Sequence, residues 1–332
     1  MQQEIKSIDI AKLLAAIMII ALHTSPLASI SQIADKALIG LCRIGVPIFF
    51  TMSAYLFFLK EGDYGPRLKR YCLRIVKYWV VYSILGIIIL RPPFGINLLR
   101  TFLFDGFGVV WFFHGLIVAM CLFVLLLTLN GKRTLSWFVY ALPVVLYVCA
   151  LAMNTYFSVL PGGVQKWLES WYYPVFVTAR NGFFSGTLYM LIGYCMAKRT
   201  KTYTLKSSFV KLAIAMTFFF VELFLTWNVT EKIHGRELFL TMPFMITALM
   251  QFILAANEYC EKVSPDVCYY CRKLSFALYG WQLLYIVIIP GTLNSLVRFI
   301  IITVLCLLTG ATLIALSKSK NNTVRKITTY FI

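Results

Sequence analysis

Apolar residues run in long, unbroken stretches along the whole chain. Ten of these are long enough to cross a bilayer: about 8–27, 38–59, 71–90, 109–129, 135–153, 175–197, 208–228, 238–257, 274–291 and 297–317. The polar segments between them are short, and no linker, low-complexity tract or fixed-period repeat divides them. The pattern predicts an all-α, polytopic membrane protein of about ten transmembrane helices, with residues 1–332 as a single integral-membrane domain. The segment FGINLLRTFLF (94–104) is short and amphipathic, which suits it to the interface rather than to a crossing. The first run reads as a retained span. Lys12 and His23 interrupt it, and no small-residue cleavage site follows cleanly.

Two titratable residues bracket ten apolar ones in that first run, KLLAAIMIIALH (12–23). At about 100° per residue, eleven steps bring Lys12 and His23 to the same helix face, roughly 16 Å apart along the axis. One face then carries a cation near one membrane surface and an imidazole about half a bilayer away.

Composition strengthens the membrane reading. Hydrophobic residues make up 60% of the chain, and a mean hydropathy of +0.81 exceeds what a soluble globule of this length tolerates. Trp79, Trp111, Trp137, Trp171 and Trp227 fall near the ends of apolar runs, as interfacial belts require. The net charge of +18 is spread over many short loops, so no basic surface exists for nucleic acid. With an N-terminus in the cytoplasm, 22 of the 31 Lys and Arg fall on the inner side, including those in 60–77, 131–133, 198–206 and 262–273. The positive-inside rule then predicts both termini in the cytoplasm and a multi-pass protein of a cell membrane, a bacterial inner or plasma membrane. Most of the nine cysteines lie within apolar runs and read as small hydrophobes. The lone C-x-x-C, Cys268 and Cys271, has no nearby His, and no metal site is expected.

Few charges lie inside the runs, and each needs a partner or a task. Glu222, in FFFVELFLTW, is the only carboxylate well inside a span. It reads either as a helix-bridging group or as the partner of a buried base. Arg43 and Arg180 lie in the outer halves of two spans. Alone, each reads as a snorkelling side chain; with His23 and Glu222 they suggest a polar cavity open to the outside. Of the three histidines, His234 lies in a loop and His114 near an interface, which leaves His23 best placed for proton chemistry. The basic stretch RLKRYCLRIVKYW (67–79) reads either as topology control or as a phosphate grip, with Arg70 and Arg74 on one helix face and Arg67 and Lys77 extending the same side.

These motifs resemble those of the membrane acyltransferase 3 family. Lys12 and His23 match its basic residue, ten intervening residues and His in the first span. IGVPIFFTMSAYLFF (44–58), the arginine pair, WFFHGLIV (111–118) and KLSFALYGWQLLYI (273–286) are similar to its later motifs. Within the family the chain resembles the membrane domain of vancomycin-resistance serine racemases, through Arg43 before GVP, the ARNGFF run and Glu222. A racemase domain takes several hundred further soluble residues, and none are expected here. Two departures stand out. Gln282 replaces the late motif's His, and Val110 replaces a His often found before the Trp segment. Gln cannot shuttle a proton.

The resemblance implies an enzyme, an O-acyltransferase, that moves an acyl group, commonly acetyl, from cytoplasmic acyl-CoA to a hydroxyl of an envelope sugar, glycan or other outer-face acceptor. Acyl-CoA enters as donor substrate, and no tightly bound cofactor is expected. Lys12, Arg67, Arg70 and Arg74 are the implied donor-phosphate ligands, and His23 is the base or a transient acyl carrier. Glu222 is implied as its partner, with Arg43, Arg180, Gln282 and Trp111 on the acceptor. The other expected partners are the lipid bilayer and, as an allowed assembly, a second copy of the chain. The alternative is a transporter for a small amino acid such as serine, with Arg43 or Arg180 holding its carboxylate and Glu222 its amine. A structural membrane subunit is a third reading.

Overall fold

The computed structural model describes residues 5–108, 110–130, 136–199, 202–229 and 235–331. The basic segment 131–133, part of 198–206, Lys232 and His234 lie outside the described residues. The chain order is α1 (Lys6–Thr24), α2 (Gln32–Cys42), α3 (Gly45–Phe58), α4 (Tyr64–Leu90), α5 (Ile96–Arg100), α6 (Trp111–Asn130), α7 (Ser136–Ala152), α8 (Gly162–Trp167), α9 (Tyr173–Phe176), α10 (Thr187–Lys198), α11 (Leu205–Val229), α12 (Met242–Ala255), α13 (Asn257–Cys260), α14 (Pro265–Ile288), α15 (Ser295–Ser317) and α16 (Asn322–Thr328). No strand occurs among the described residues.

Among the described residues, six stretches are long and apolar enough to cross a membrane: Lys6–Thr24, Gln32–Phe58 (α2 and α3 together), Tyr64–Leu90, Trp111–Asn130, Leu205–Trp227 and Ser295–Ser317. The sequence pattern counts ten. Trp137–Ala152 and Met242–Ala255 are apolar but shorter, and at about 1.5 Å per residue the second falls well below a ~30 Å hydrocarbon layer. The 175–197 run is not one helix. It leaves helical geometry after Phe176 and resumes through a π-turn at Gly182–Gly186 into α10.

The central element is α1, which packs against α14, α3, α15, α2 and α12. Its ends are set locally. Asp9 lies in the first turn, where a carboxylate suits the helix dipole. The start is anchored by Lys6, whose Nζ donates to the carbonyls of Glu261 (2.7 Å) and Val263 (2.5 Å). The other end stops at Ser25, whose left-handed backbone lets its N–H bond Ala21 O at 3.0 Å and leaves His23 in the last turn. Ala15, Ala16, Ile19 and Ile20 between these ends are buried. Large apolar side chains that face outward, such as Ile84, Val145, Phe218 and Val304, make the surface a lipid-facing one.

One close approach governs the far end of the bundle. Gly182 lies against Gly115 of α6, and a Cβ there would meet Gly115 O at 2.0 Å. Asn181 caps the following turn by accepting from Phe184 N at 2.9 Å. Arg180 is thereby delivered to Trp111, one turn before Gly115 on the same α6 face.

Gly182→Ala is expected to destabilise the fold by about 1–3 kcal/mol, because the obstructing atom is helix backbone that cannot step aside. A thermal unfolding midpoint in detergent equal to wild type would refute that packing account. In a cysteine-free background, single cysteines at Glu61 and Lys262 should react with an impermeant maleimide from one membrane side. A cysteine at the exposed Leu240 should react only from the other, and same-side labelling of Glu61 and Leu240 would overturn the two-ended arrangement.

Candidate functional site

Two polar cavities lie at the two ends of α1. The first contains His23. Arg43 reaches it because the chain tightens between α2 and α3: Arg43 N bonds both Ile39 O (3.3 Å) and Gly40 O (3.2 Å), and Ile44 N bonds Leu41 O (3.1 Å). Pro47 follows near the start of α3, where its missing N–H costs nothing. What reads in the sequence as one span is therefore two helices with an arginine at the joint.

The carboxylate here is Glu237. Its Oε1 lies 2.5 Å from Arg180 Nη1 and 3.5 Å from Arg43 Nη1, with the three side chains 23%, 22% and 20% exposed. The Arg180 guanidinium stacks 4.6 Å from the Trp111 ring centre. His23 is exposed at the mouth of this group, and Arg180, Glu237 and Arg43 are its charged neighbours. Among the described residues its imidazole has no hydrogen-bond partner. Tyr279 and Tyr189 complete the wall, and the enclosed volume is about 40 Å³.

Glu237 is the residue that sequence reasoning missed, and Glu222 is the one it misplaced. Glu222 does not line the cavity. Its Oε1 accepts from Tyr156 OH (2.6 Å) and Leu240 N (2.6 Å), and its Oε2 from Thr241 N (2.8 Å) and Thr241 Oγ1 (2.5 Å). Four donors on one carboxylate satisfy the start of α12 and tie α11 to it. The segment before α12 is folded inward by further bonds: Asn154 Oδ1 accepts from Glu237 N (2.9 Å) and Leu238 N (3.2 Å), and Tyr147 OH donates to Phe239 O (2.8 Å). Glu222 thus helps hold the segment that carries Glu237. The available signal was the apolar Leu238 and Phe239 directly after Glu237, too hydrophobic for an outward loop.

Gln282 is fully buried and lines neither cavity. Its Nε2 donates to Tyr279 O at 3.0 Å, and its Oε1 has no partner among the described residues. One turn away, Tyr279 takes the position on the cavity wall.

The second cavity, about 800 Å³, opens at the basic end. Lys12, Arg67, Arg70 and Arg74 line it as the sequence suggests, joined by Lys60 and Arg272, with Asp9 as the carboxylate on its wall. Asp9 lies 3.5 Å from both Lys12 Nζ and Arg272 Nη1. Arg67 is partly committed: its Nη1 donates to Lys60 O and to Glu61 O (3.1 Å), and it stacks on Phe57 and Tyr64. Arg70 and Arg74 are exposed into the space. Lys77 is turned away, donating to Thr329 O at 2.9 Å. Lys60, Asp9 and Arg272 were legible only as loop or helix-end charges, since they converge from three distant segments.

Between the cavities, Ala15 and Ile19 of α1 pack with the buried Ile48 of α3, while Ala16 and Ile20 pack with Leu278 of α14 and Cys306 of α15. A Cβ on Gly45 would meet Ile19 Cγ1 at 2.9 Å. The two spaces are separated by tight apolar packing.

A family model described as an acyltransferase domain matches residues 5–318. The chain is 26% identical over 363 residues to an amino-acid racemase of Enterococcus faecalis, covering 98% of this chain and 48% of that protein. It is also 26% identical over 273 residues to a serine/alanine racemase of Enterococcus gallinarum, covering 75% of this chain and 37% of that protein. The chain spans about half the length or less of these curated relatives. No solved structure matches it. With a match that runs through both cavities and nearly the whole chain, the protein belongs to the acyltransferase 3 family of membrane acyltransferases.

Proposed function

We propose that the protein transfers a short acyl group, acetyl in the first instance, from cytoplasmic acyl-CoA to a hydroxyl of an outer-face envelope acceptor such as a glycan. The observation that carries this reading is the pairing of an unpartnered imidazole and a cation-lined cavity at opposite ends of one face of α1. Six cations against one carboxylate suit a ligand with several phosphates. The basic end would be the cytoplasmic one, in keeping with the distribution of Lys and Arg.

In this mechanism Lys12, Arg70 and Arg74 hold the donor's phosphates while the thioester extends along α1 toward His23. An imidazole nitrogen of His23 takes the proton of the acceptor hydroxyl as its oxygen attacks the thioester carbonyl. The new C–O bond forms, the C–S bond breaks, and the proton passes to the departing thiolate. Arg180 and Arg43 supply positive charge beside the developing oxyanion. The packed septum between the cavities must part for the thioester to pass.

A second reading has one observation in its favour. Two guanidiniums and a carboxylate around a small space are what an α-amino acid needs, and the racemase-named relatives act on amino acids by their names. In that reading the protein carries a small amino acid such as serine.

His23→Ala is expected to reduce acyl transfer by roughly a hundred- to ten-thousandfold while acyl-CoA affinity stays near wild type. Transfer within a few-fold of wild type removes His23 from the mechanism. Serine uptake that depends on His23, in a protein with no affinity for acyl-CoA, favours the transport reading instead.

Arg70→Ala and Arg74→Ala should each weaken acyl-CoA binding by about ten- to a hundredfold, the loss of one charge-assisted contact to phosphate. Calorimetry on the folded double variant decides it: unchanged affinity would return these arginines to topology control.

A further inference from the structure

A third cleft lies at the basic end, beside the donor cavity and lined by none of the same residues. It is about 600 Å³ and is lined by Lys273 of α14, Arg325 and Lys326 of α16, and the polar Tyr269, Ser317, Asn322 and Thr329. No carboxylate is among its lining residues. Arg74, Arg272 and Lys77 add to the positive field at Lys273. Three cations facing one space repel one another unless an anion joins them.

The fold holds α16 in place rather than leaving it free. Its last turn is followed by Thr329, whose carbonyl accepts from Lys77 Nζ, and by Phe331, whose carbonyl accepts from Tyr82 OH at 2.9 Å. The Lys77 ammonium lies 3.9 Å from the Tyr330 ring centre, and Phe331 packs on Trp281. The cations of α16 are therefore presented by anchored backbone. Next to its lining residues in the chain, the apolar side chains of Leu316, Ile327, Tyr330 and Tyr270 are exposed. A cationic pocket at the basic end, with exposed apolar side chains next to its lining residues in the chain, matches a ligand that has a phosphate at one end and hydrocarbon at the other.

We propose that the cleft between α14 and α16 binds a phosphate-bearing anion, the headgroup of an anionic phospholipid. This site does not depend on the acyl-transfer reading. Its bound phosphate would join Lys273 to Arg325 and Lys326 and so pin α16 to the bundle.

The test uses the full chain in nanodiscs of phosphatidylcholine with and without phosphatidylglycerol, with retained lipid counted by native mass spectrometry. Wild type should keep phosphatidylglycerol in preference to phosphatidylcholine. The K273Q/R325Q/K326Q variant should lose that preference by about a hundredfold, at about fivefold per neutralised charge. The K198Q/K206Q/K262Q variant, with the same change in net charge outside the cleft, should keep it. Equal loss in both variants, or loss in neither, overturns the proposal. Saturable binding of inorganic phosphate in phosphatidylcholine alone, abolished by the cleft variant and unaccompanied by lipid preference, keeps the phosphate site and overturns the lipid source. Displacement of phosphatidylglycerol by acetyl-CoA would make the cleft part of the donor cavity and overturn a separate site. Should the triple variant fail to fold, R325Q alone carries the test with a fivefold loss, and the charge-conserving K273R/R325K/K326R variant should bind as wild type does.

Discussion

Glu237 lies between two guanidiniums, and the far end of the bundle is organised around that contact. A buried or half-buried charge in a membrane protein is tolerated when an opposite charge and hydrogen bonds offset its lost hydration. Here three separate segments contribute: the joint between α2 and α3 brings Arg43, the turn before α10 brings Arg180, and the segment before α12 brings Glu237. None of them could hold its charge at this depth alone. Their convergence also defines the space beside His23, whose own helix contributes no carboxylate to it.

That convergence needs support from behind. The Gly182–Gly115 contact fixes the height of Arg180 along α6, so that its guanidinium meets the Trp111 face. Glu222 and Asn154 perform the equivalent task for Glu237 by consuming backbone N–H groups that a segment entering the bundle would otherwise leave unsatisfied. Glu222 therefore matters to the site without touching it.

The basic end follows different physics. Six cations line a large open space with Asp9 their only carboxylate among the lining residues, and solvent at that end screens their repulsion. An open cationic space and a small site of paired charges therefore stand at opposite ends of α1. The packing of Ala15 and Ile19 against α3 keeps the two apart, so any group passing between them requires side chains of α1 and α3 to move.

Hydrophobic run length and helical period are local quantities. For that reason the all-helical membrane architecture, the shared face of Lys12 and His23, and the grouping of Arg67, Arg70 and Arg74 could be read from the residues alone. That Arg43 and Arg180 share one polar cavity with His23 was legible as well, because charges within apolar runs must gather around a common polar space. What the tertiary structure alone decided was which carboxylate serves them. Glu222 is conspicuous in an apolar span but is consumed by the start of α12, while Glu237 looks like a loop charge until Asn154 and Tyr147 fold its segment inward. Gln282, placed by its motif at the site, is turned into the core, and Lys77 serves the segment after α16 rather than the donor cavity. The placing of Glu222, Glu237 and Lys77 depends on hydrogen bonds between residues about twenty to 250 positions apart, and no local pattern of apolar and polar residues encodes such distant partners.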